Sequence, residues 1–351
     1  MAITAKMSRS VESREPAIPE SWMADGLRIF SGTSNPVLAG KIADVVGVGL
    51  GRARIDLFPD GETIVKLEDD VRGRDCFVVQ STCPPVNDKL MELLIFIDCL
   101  RRASVRRITA VMPYFGYARQ DRKAEGRTPI TAKLVANLLT EAGADRVLAM
   151  DLHTDQLQGF FDIPVDHLTA MPVICDFIRS KRLKNTVVVS PDVGNIKMAN
   201  AYAARLDSEL AVIDKRRTGG DCAEACRIIG DVRGKTVLMF DDMITTGGTV
   251  SEAVKLLRAQ GAERFIVSAT HAVFAGPAVE RLAALELDQI IVSDSIPISD
   301  EVRSRLPNIE VRSVAKLMGE AIRRIHLNQS VSALFEKSVA RASHSKKRTG
   351  G

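Results

Sequence analysis

The sequence predicts an α/β protein built on parallel sheets. Short continuous Val/Ile/Leu runs alternate with helix-periodic stretches between about residues 26 and 335. Unbroken apolar runs of that kind are what strands buried on both faces require. A weak internal repeat points to two such units in tandem. LTEAGADRVLAMDLH at 139–153 and LRAQGAERFIVSATH at 257–271 share a helix end, a Gly-Ala-acid-Arg turn, a strand and a terminal His, 118 residues apart. The two units would meet near residue 167, and 351 residues suit two cores better than one.

Strands are predicted at 27–30, 54–58, 76–80, 107–112 and 146–150 in the first unit, and at 186–190, 210–213, 236–240, 264–269 and 289–292 in the second. The intervening stretches 86–103, 131–142, 196–206, 249–261 and 277–285 read as helices. Asn35-Pro36 and Thr128-Pro129 are start signals, and Gly143 and Gly261 are stops. Residues 1–22 mix three acids with three bases and have no apolar h-region. The first 23 residues are therefore expected to be a disordered extension, with Met23 as an alternative start.

Composition excludes several classes. With 46% hydrophobic and 26% charged residues and a mean hydropathy of +0.03, the chain is an ordinary soluble globular one. Its net charge of +4 is accounted for by the last sixteen residues, where five Lys/Arg face one acid. The remainder is neutral, so a basic tail is present but no basic face for nucleic acid. No apolar run reaches the ~18 residues of a membrane span. Cys76, Cys83, Cys99, Cys175, Cys222 and Cys226 are too few for a disulfide framework in a chain this long. Cys222 and Cys226, four apart with no His nearby, do not make a zinc site. A cytoplasmic location is expected.

In open parallel sheets ligands bind beyond the carboxyl ends of the strands. The most informative stretch there is TVLMFDDMITTGGTV at 236–250. It reads as a buried strand ending at Phe240, two acids, a Thr/Gly loop and a helix. Gly247 and Gly248 allow positive φ and close approach, Thr245, Thr246 and Thr249 offer hydroxyls, and the helix start offers unpaired N–H groups. Together these favour a phosphate. Asp241 and Asp242 sit where sugar hydroxyls or Mg²⁺ would lie. An Asp cap with a Gly turn would explain one acid and one glycine, not the whole run. GDVRGKT at 230–236 is not a nucleotide loop: it is one residue short of GxxxxGK[ST], and a strand follows it.

Two further strand ends offer His153 (MDLHTD) and Asp192 (SPDVGN), which could bind a metal and its phosphates; each alone reads better as a cap or a satisfied core group. DKRRTGG at 214–220 carries three cations and no apolar residue. Such a loop is usually a solvated turn, but beside a polyphosphate it could close as a lid and stabilise transferring charge. In the first half, FPDGET at 58–63 and PYFGYARQDRK at 113–123 leave strand ends. Their aromatics, arginines and acids could hold a purine and its ribose; a hydrophobic loop anchor fits equally well.

These motifs, in this order, resemble the class I ribose-phosphate pyrophosphokinases over about 27–335. VNDKLMELL at 86–94, TPITAKLVANLL at 128–139, DLHTDQLQGFFDIPVDHL at 151–168, DDMITTGGT at 241–249 and GEAIRRIH at 319–326 carry the resemblance with those above. It implies two tandem phosphoribosyltransferase-like domains, each a mostly parallel sheet flanked by helices. The ATP-side domain would span 24–166 and the ribose 5-phosphate-side domain 167–321. A segment at 322–335 would return to the N-terminal domain, and 336–351 would be a basic disordered tail.

The implied reaction moves the pyrophosphoryl group of Mg-ATP to the 1-hydroxyl of ribose 5-phosphate, giving phosphoribosyl pyrophosphate and AMP for nucleotide biosynthesis. Mg²⁺ is the implied cofactor, inorganic phosphate an activator, and a homohexamer the implied assembly. By motif position, Lys215 and Arg217 would be catalytic, and Phe58, Asp60, Glu62, Arg119, Gln120 and His153 would bind ATP. His153 and Asp192 would serve the metal. Asp241, Asp242, Thr245, Thr246, Gly247, Gly248 and Thr249 would hold ribose 5-phosphate. Ser330 and Ser332 would contribute to an allosteric site.

Two departures stand out: Thr245 replaces the usual acid, and Thr218-Gly219-Gly220 replaces a Pro-containing run. Two rival readings are a regulatory synthetase-like subunit and a phosphoribosyltransferase that consumes the product. Lys215, Arg217, His153 and the paired acids oppose the first. The ATP-side motifs oppose the second.

Overall fold

The computed structural model describes residues 26–216, 225–332 and 334. The expected N-terminal extension, Arg217, Cys222 and the basic tail lie outside the described residues, as do the side chains at 215, 216, 225 and 226.

The first sheet is wholly parallel, in the order β1 (Leu27–Ser31), β4 (Asp75–Val79), β5 (Arg107–Met112), β6 (Arg146–Met150), β7 (Val165–Leu168). An antiparallel hairpin, β2 (Ala53–Leu57) and β3 (Thr63–Leu67), stands apart from it. In the second sheet β8 (Thr186–Ser190) is flanked on one side by β9 (Glu209–Arg216) and β10 (Ala225–Ile229). On its other side follow β11 (Thr236–Ile244), β12 (Arg264–Ala272), β13 (Gln289–Ser293) and β14 (Ile309–Arg312). Only β10 runs antiparallel. The helices are α1 (Pro36–Val46), α2 (Val86–Arg102), α3 (Thr131–Ala142), α4 (Met171–Ser180), α5 (Ile196–Leu206), α6 (Gly248–Ala259), α7 (Ala278–Ala283), α8 (Asp300–Arg305) and α9 (Ala315–His326). The α/β class with parallel sheets is thus the observed one.

Strand alternation sorts side chains into three apolar layers. In β4, Cys76 and Val78 face an outer layer under α2 and α3, whereas Phe77 and Val79 face a central layer. That central layer also holds Val188, Leu238, Phe240, Ile266 and Ile291 of the second sheet, with α1, α4, α5 and α9 between the sheets. A third layer lies under α6 and α7. The two sheets therefore share one core. The expected junction at 166/167 falls within β7, which still pairs with β6. The expected returning segment at 322 begins inside α9, whose face packs on α1. Gly319 makes that packing possible, because a Cβ there would lie 2.6 Å from Val45 Cγ1.

Two expectations need correction. β11 does not stop at Phe240 but continues through Asp241 and Asp242 to Ile244, because β12 keeps pairing with it to the Ile244–Ala272 register. FPDGET leaves the end of β2, as expected, and forms the tip of the β2–β3 hairpin: Phe58 N donates to Glu62 O at 2.8 Å. The helix expected at 277–285 is shorter, as α7.

α9 is fastened to the first sheet by a buried carboxylate. Asp75, fully buried, accepts from Arg107 Nε at 2.9 Å and from its Nη2, and His326 Nδ1 lies 2.8 Å away. Arg107 also reaches Ile325 O at 3.0 Å. Burial opposes ionisation of Asp75, but the hydrogen bonds of His326 and Arg107 outweigh it and hold the carboxyl below its ordinary value. Asp75→Asn is expected to cost about 3 kcal/mol at neutral pH, since it strips a largely buried guanidinium of its counter-charge. A depressed folded pKa gives stability that is complete above the unfolded value, near 4, and is lost as pH falls through the folded one. The gap in urea midpoint between wild type and variant should therefore close below about pH 4. A gap that persists unchanged in acid would contradict this account.

Candidate active site

The second sheet has a topological switch point between β8 and β11, since the chain moves outward to β9 on one side and to β12 on the other. A crevice opens there beyond the carboxyl ends of the two strands. Each strand leads into a helix that starts at its rim. Pro191 follows β8, and Asp192 Oδ1 accepts from Asn195 N at 2.9 Å, while Asn195 Nδ2 ties the turn to Phe240 O at 2.9 Å. At the other rim Gly247 adopts φ +71 and caps α6, a conformation a glycine tolerates without strain. No side chain caps that helix start, so its first-turn N–H groups point into the crevice beside Thr245, Thr246, Gly248 and Thr249. Arg281 Nη1 braces the loop from outside by donating to Thr246 O at 3.0 Å.

Asp241 and Asp242 are adjacent in β11 and so lie on opposite faces of the sheet. Asp242, 6% exposed, meets His153 from the first domain: Nδ1 to Oδ2 is 2.7 Å. Burial works against the Asp242 carboxylate, but the hydrogen bonds with His153 and Asp241 hold it low. The same hydrogen bond with Asp242 raises the His153 imidazole. Asp241 moves the other way, pushed up by its burial first and then by the charge of Asp242, with a smaller push from Asp192. Two adjacent acids are thereby pushed in opposite directions.

The first domain contributes the loops after β5 and β6. Arg119 and Asp121 act on His153 with opposite sign, Arg119 lowering its pKa and Asp121 raising it. Thr154 Oγ1 donates to Asp121 Oδ2 at 3.1 Å. Gln120 faces α3, accepting from Thr131 Oγ1 at 2.5 Å. The structure thus gathers His153, Arg119, Asp192, Asp241 and Asp242 around one cleft. It does not bring Phe58, Asp60 and Glu62 there: they sit on the exposed tip of a hairpin that rests on α2. Lys215 has its backbone near the end of β9, past the last β8 pair at Val212 and opposite Cys226 of β10. Ser330 and Ser332 follow α9, and Ser330 O accepts from the buried Arg324 at 2.9 Å. Sequence reasoning missed Asp121 as a neighbour of His153, although it stands inside the PYFGYARQDRK motif.

A sequence profile described as the N-terminal domain of ribose phosphate pyrophosphokinase matches residues 27–143, and one described as the phosphoribosyl synthetase-associated domain matches residues 223–336. The ribose-phosphate pyrophosphokinase of Parasynechococcus marenigrum is 55% identical over 311 residues, covering 88% of this chain and 93% of its own. The chain belongs to the ribose-phosphate pyrophosphokinase family. A second member, ribose-phosphate pyrophosphokinase 1 of Spinacia oleracea, is 53% identical over 88% of this chain and 93% of its own. The crystal structure of phosphoribosylpyrophosphate synthetase from Mycobacterium smegmatis superposes with a TM-score of 0.81 at 44% identity, covering 86% of this chain and 99% of that one. This pyrophosphokinase fold therefore carries the cleft described above. Among the described residues no helix is long and apolar enough to cross a membrane.

Proposed function

We propose that this chain transfers the β,γ-pyrophosphoryl group of Mg-ATP to the 1-hydroxyl of ribose 5-phosphate in the cytoplasm, supplying phosphoribosyl pyrophosphate for nucleotide biosynthesis. The observation that carries the reading is the His153–Asp242 contact across the domains. It supports the reading because the end of β6, which we assign to the nucleotide, meets the acids that we assign to the sugar.

In this reading Thr246, Gly247, Gly248 and Thr249 receive the 5-phosphate at the start of α6, and Thr245 lies at the mouth of the same loop. Asp241 and Asp242 take the ribose hydroxyls. Arg119, Gln120 and His153 hold ATP. The new bond joins the sugar O1 to the β-phosphorus as the 1-hydroxyl gives its proton to water, while the bond from that phosphorus to the oxygen bridging to the α-phosphate breaks and that oxygen leaves on AMP. Such a loose transition state needs alignment and charge neutralisation rather than a covalent side chain. Lys215 and Arg217, at and beyond the end of β9, supply cations to the phosphoryl oxygens.

Mg²⁺ suits these residues. It takes a few protein oxygens and completes its shell with phosphates and water. Among the described residues no three His, Cys, Asp or Glu side chains close into a cage. Asp192 and His153 would hold it, with His153 Nδ1 already committed to Asp242. When bound, the ion draws charge from the transferring phosphate.

Incubation with Mg-ATP and ribose 5-phosphate tests the activity by following AMP. Release that requires ribose 5-phosphate is the expected result. No AMP at all would favour a regulatory subunit or a phosphoribosyltransferase.

Self-association, as a hexamer, is part of the same reading. Ile130, Leu134 and Leu138 form an exposed apolar stripe along α3, and Leu57, Phe58 and Ile64 are exposed on the hairpin. A second copy would cover the hairpin and bring Phe58, Asp60 and Glu62 to a nucleotide. Phe58→Ala is then expected to raise KM for ATP about tenfold through lost stacking, with KM for ribose 5-phosphate unchanged. Equal rises in both constants would remove Phe58 from the nucleotide site. Ser330 and Ser332 are assigned to a regulatory site at which inorganic phosphate activates.

A further inference from the structure

The turn that carries His153 is held from the opposite domain by residues with no role assigned so far. At the end of β6, the carbonyl oxygens of Met150 and Asp151 both face His271 Nε2, at 3.2 and 3.1 Å. Carbonyls only accept, so Nε2 carries the proton, and Nδ1 is left to the Ser295 hydroxyl at 2.9 Å. His271 is 1% exposed, with the Tyr114 ring edge-on to it at 5.0 Å. One residue earlier, Thr270 Oγ1 donates to Asp151 Oδ2 at 2.6 Å, and that oxygen also accepts from Ala170 N at 2.9 Å. Leu152 N donates to His167 Nε2 at 2.9 Å. Asp151 itself has φ +36, a conformation that non-glycine residues rarely adopt and that its surroundings must enforce.

We infer that Thr270 and His271 are positioning residues: they clasp the strained turn at Asp151 and so fix where His153 meets Asp242. Both sit on β12, whose register places Ala269 opposite Asp241 and His271 opposite Met243. The strand that holds the turn is thus the neighbour of the strand that holds the acids. Donor and acceptor sites on two domains are thereby set at one spacing. A displacement of about 1 Å at that point costs roughly 100-fold in rate, because the reacting atoms no longer meet in line.

This rests on the assignment of His153 to the active site, and a double-mutant cycle separates the two. Thr270→Val removes the donor at nearly constant volume; Thr270→Ser keeps it. In the full-length enzyme Thr270→Val is expected to lower kcat about 30-fold with both KM values within about twofold, and Thr270→Ser to restore most of the rate. In a His153→Ala background the same change should have little further effect, since it acts through His153. Unchanged kcat in Thr270→Val, or a full 30-fold loss on top of His153→Ala, would overturn the clasp alone. His153→Ala with wild-type activity would overturn the underlying assignment and the clasp with it. Should Thr270→Val not fold, Ser295→Ala, which frees the His271 ring, is read in the same cycle with an expected loss of about fivefold.

Discussion

Asp242→Asn is expected to lower kcat by roughly 10³-fold, the scale for losing one preorganised charged contact in a catalytic cleft. Asp242 is the acid kept ionised in spite of its burial, through the hydrogen bonds with His153 and Asp241. The amide removes the charge that both raises His153 and suppresses ionisation of Asp241. Asp241 would then feel a smaller upward push, with its burial still the first cause. The variant is expected to lose turnover more than affinity for the sugar. The measurement is kcat and KM for ribose 5-phosphate from AMP release. A rate within tenfold of wild type would show that the bridge between the domains is structural only.

Lys215→Ala should be as severe, roughly 10³-fold in kcat, by the scale for a transition-state cation. Its backbone supports this. Ser190, the last residue of β8, pairs with Val212, so β9 overshoots its neighbour by four residues, about 13 Å at the rise of a strand. The chain at Lys215 thus stands past the rim where the turn of Pro191 to Asn195 begins. The loss should fall on kcat with little change in KM for either substrate. Lys215→Arg should recover only part of the rate, because a planar guanidinium does not replace a compact ammonium. A purified Lys215→Ala enzyme with near-wild-type turnover would end this role.

Most of the fold was legible because buried parallel strands are continuous apolar runs: all ten predicted strands correspond to observed ones, nine in the two parallel sheets and one, β2, in the exposed hairpin. The strands missed are β3, β7, β10 and β14. TIVKL and IEVR are only partly buried, and VDHL is a four-residue edge strand, so none presents such a run. The acids of β11 looked like a strand end, since carboxylates rarely sit in a central ladder. They stay there because the strand faces a cleft, and the raised pKa of Asp241 registers the cost. The phosphate cradle was readable from local spacing alone. The pairing of His153 with Asp242 was not, because 89 residues separate them and no local pattern encodes a contact between domains. The repeat hid a difference as well: its two terminal histidines, His153 and His271, each cross to the other domain but meet an acid in one case and main-chain carbonyls in the other.

The packing of α9 on α1 also sets a timetable for synthesis. Helix α1 buries Ile42 and Ala43 in a layer completed by Met318, Ile322 and Ile325 of α9. About 270 residues separate the end of α1 from the start of α9. At roughly 5–20 residues per second, a ribosome needs some tens of seconds to deliver the partner. Throughout that interval the nascent chain carries an uncovered apolar helix face. Truncations before Ala315 are therefore expected to aggregate rather than accumulate as a stable first domain, because the α1 face stays uncovered.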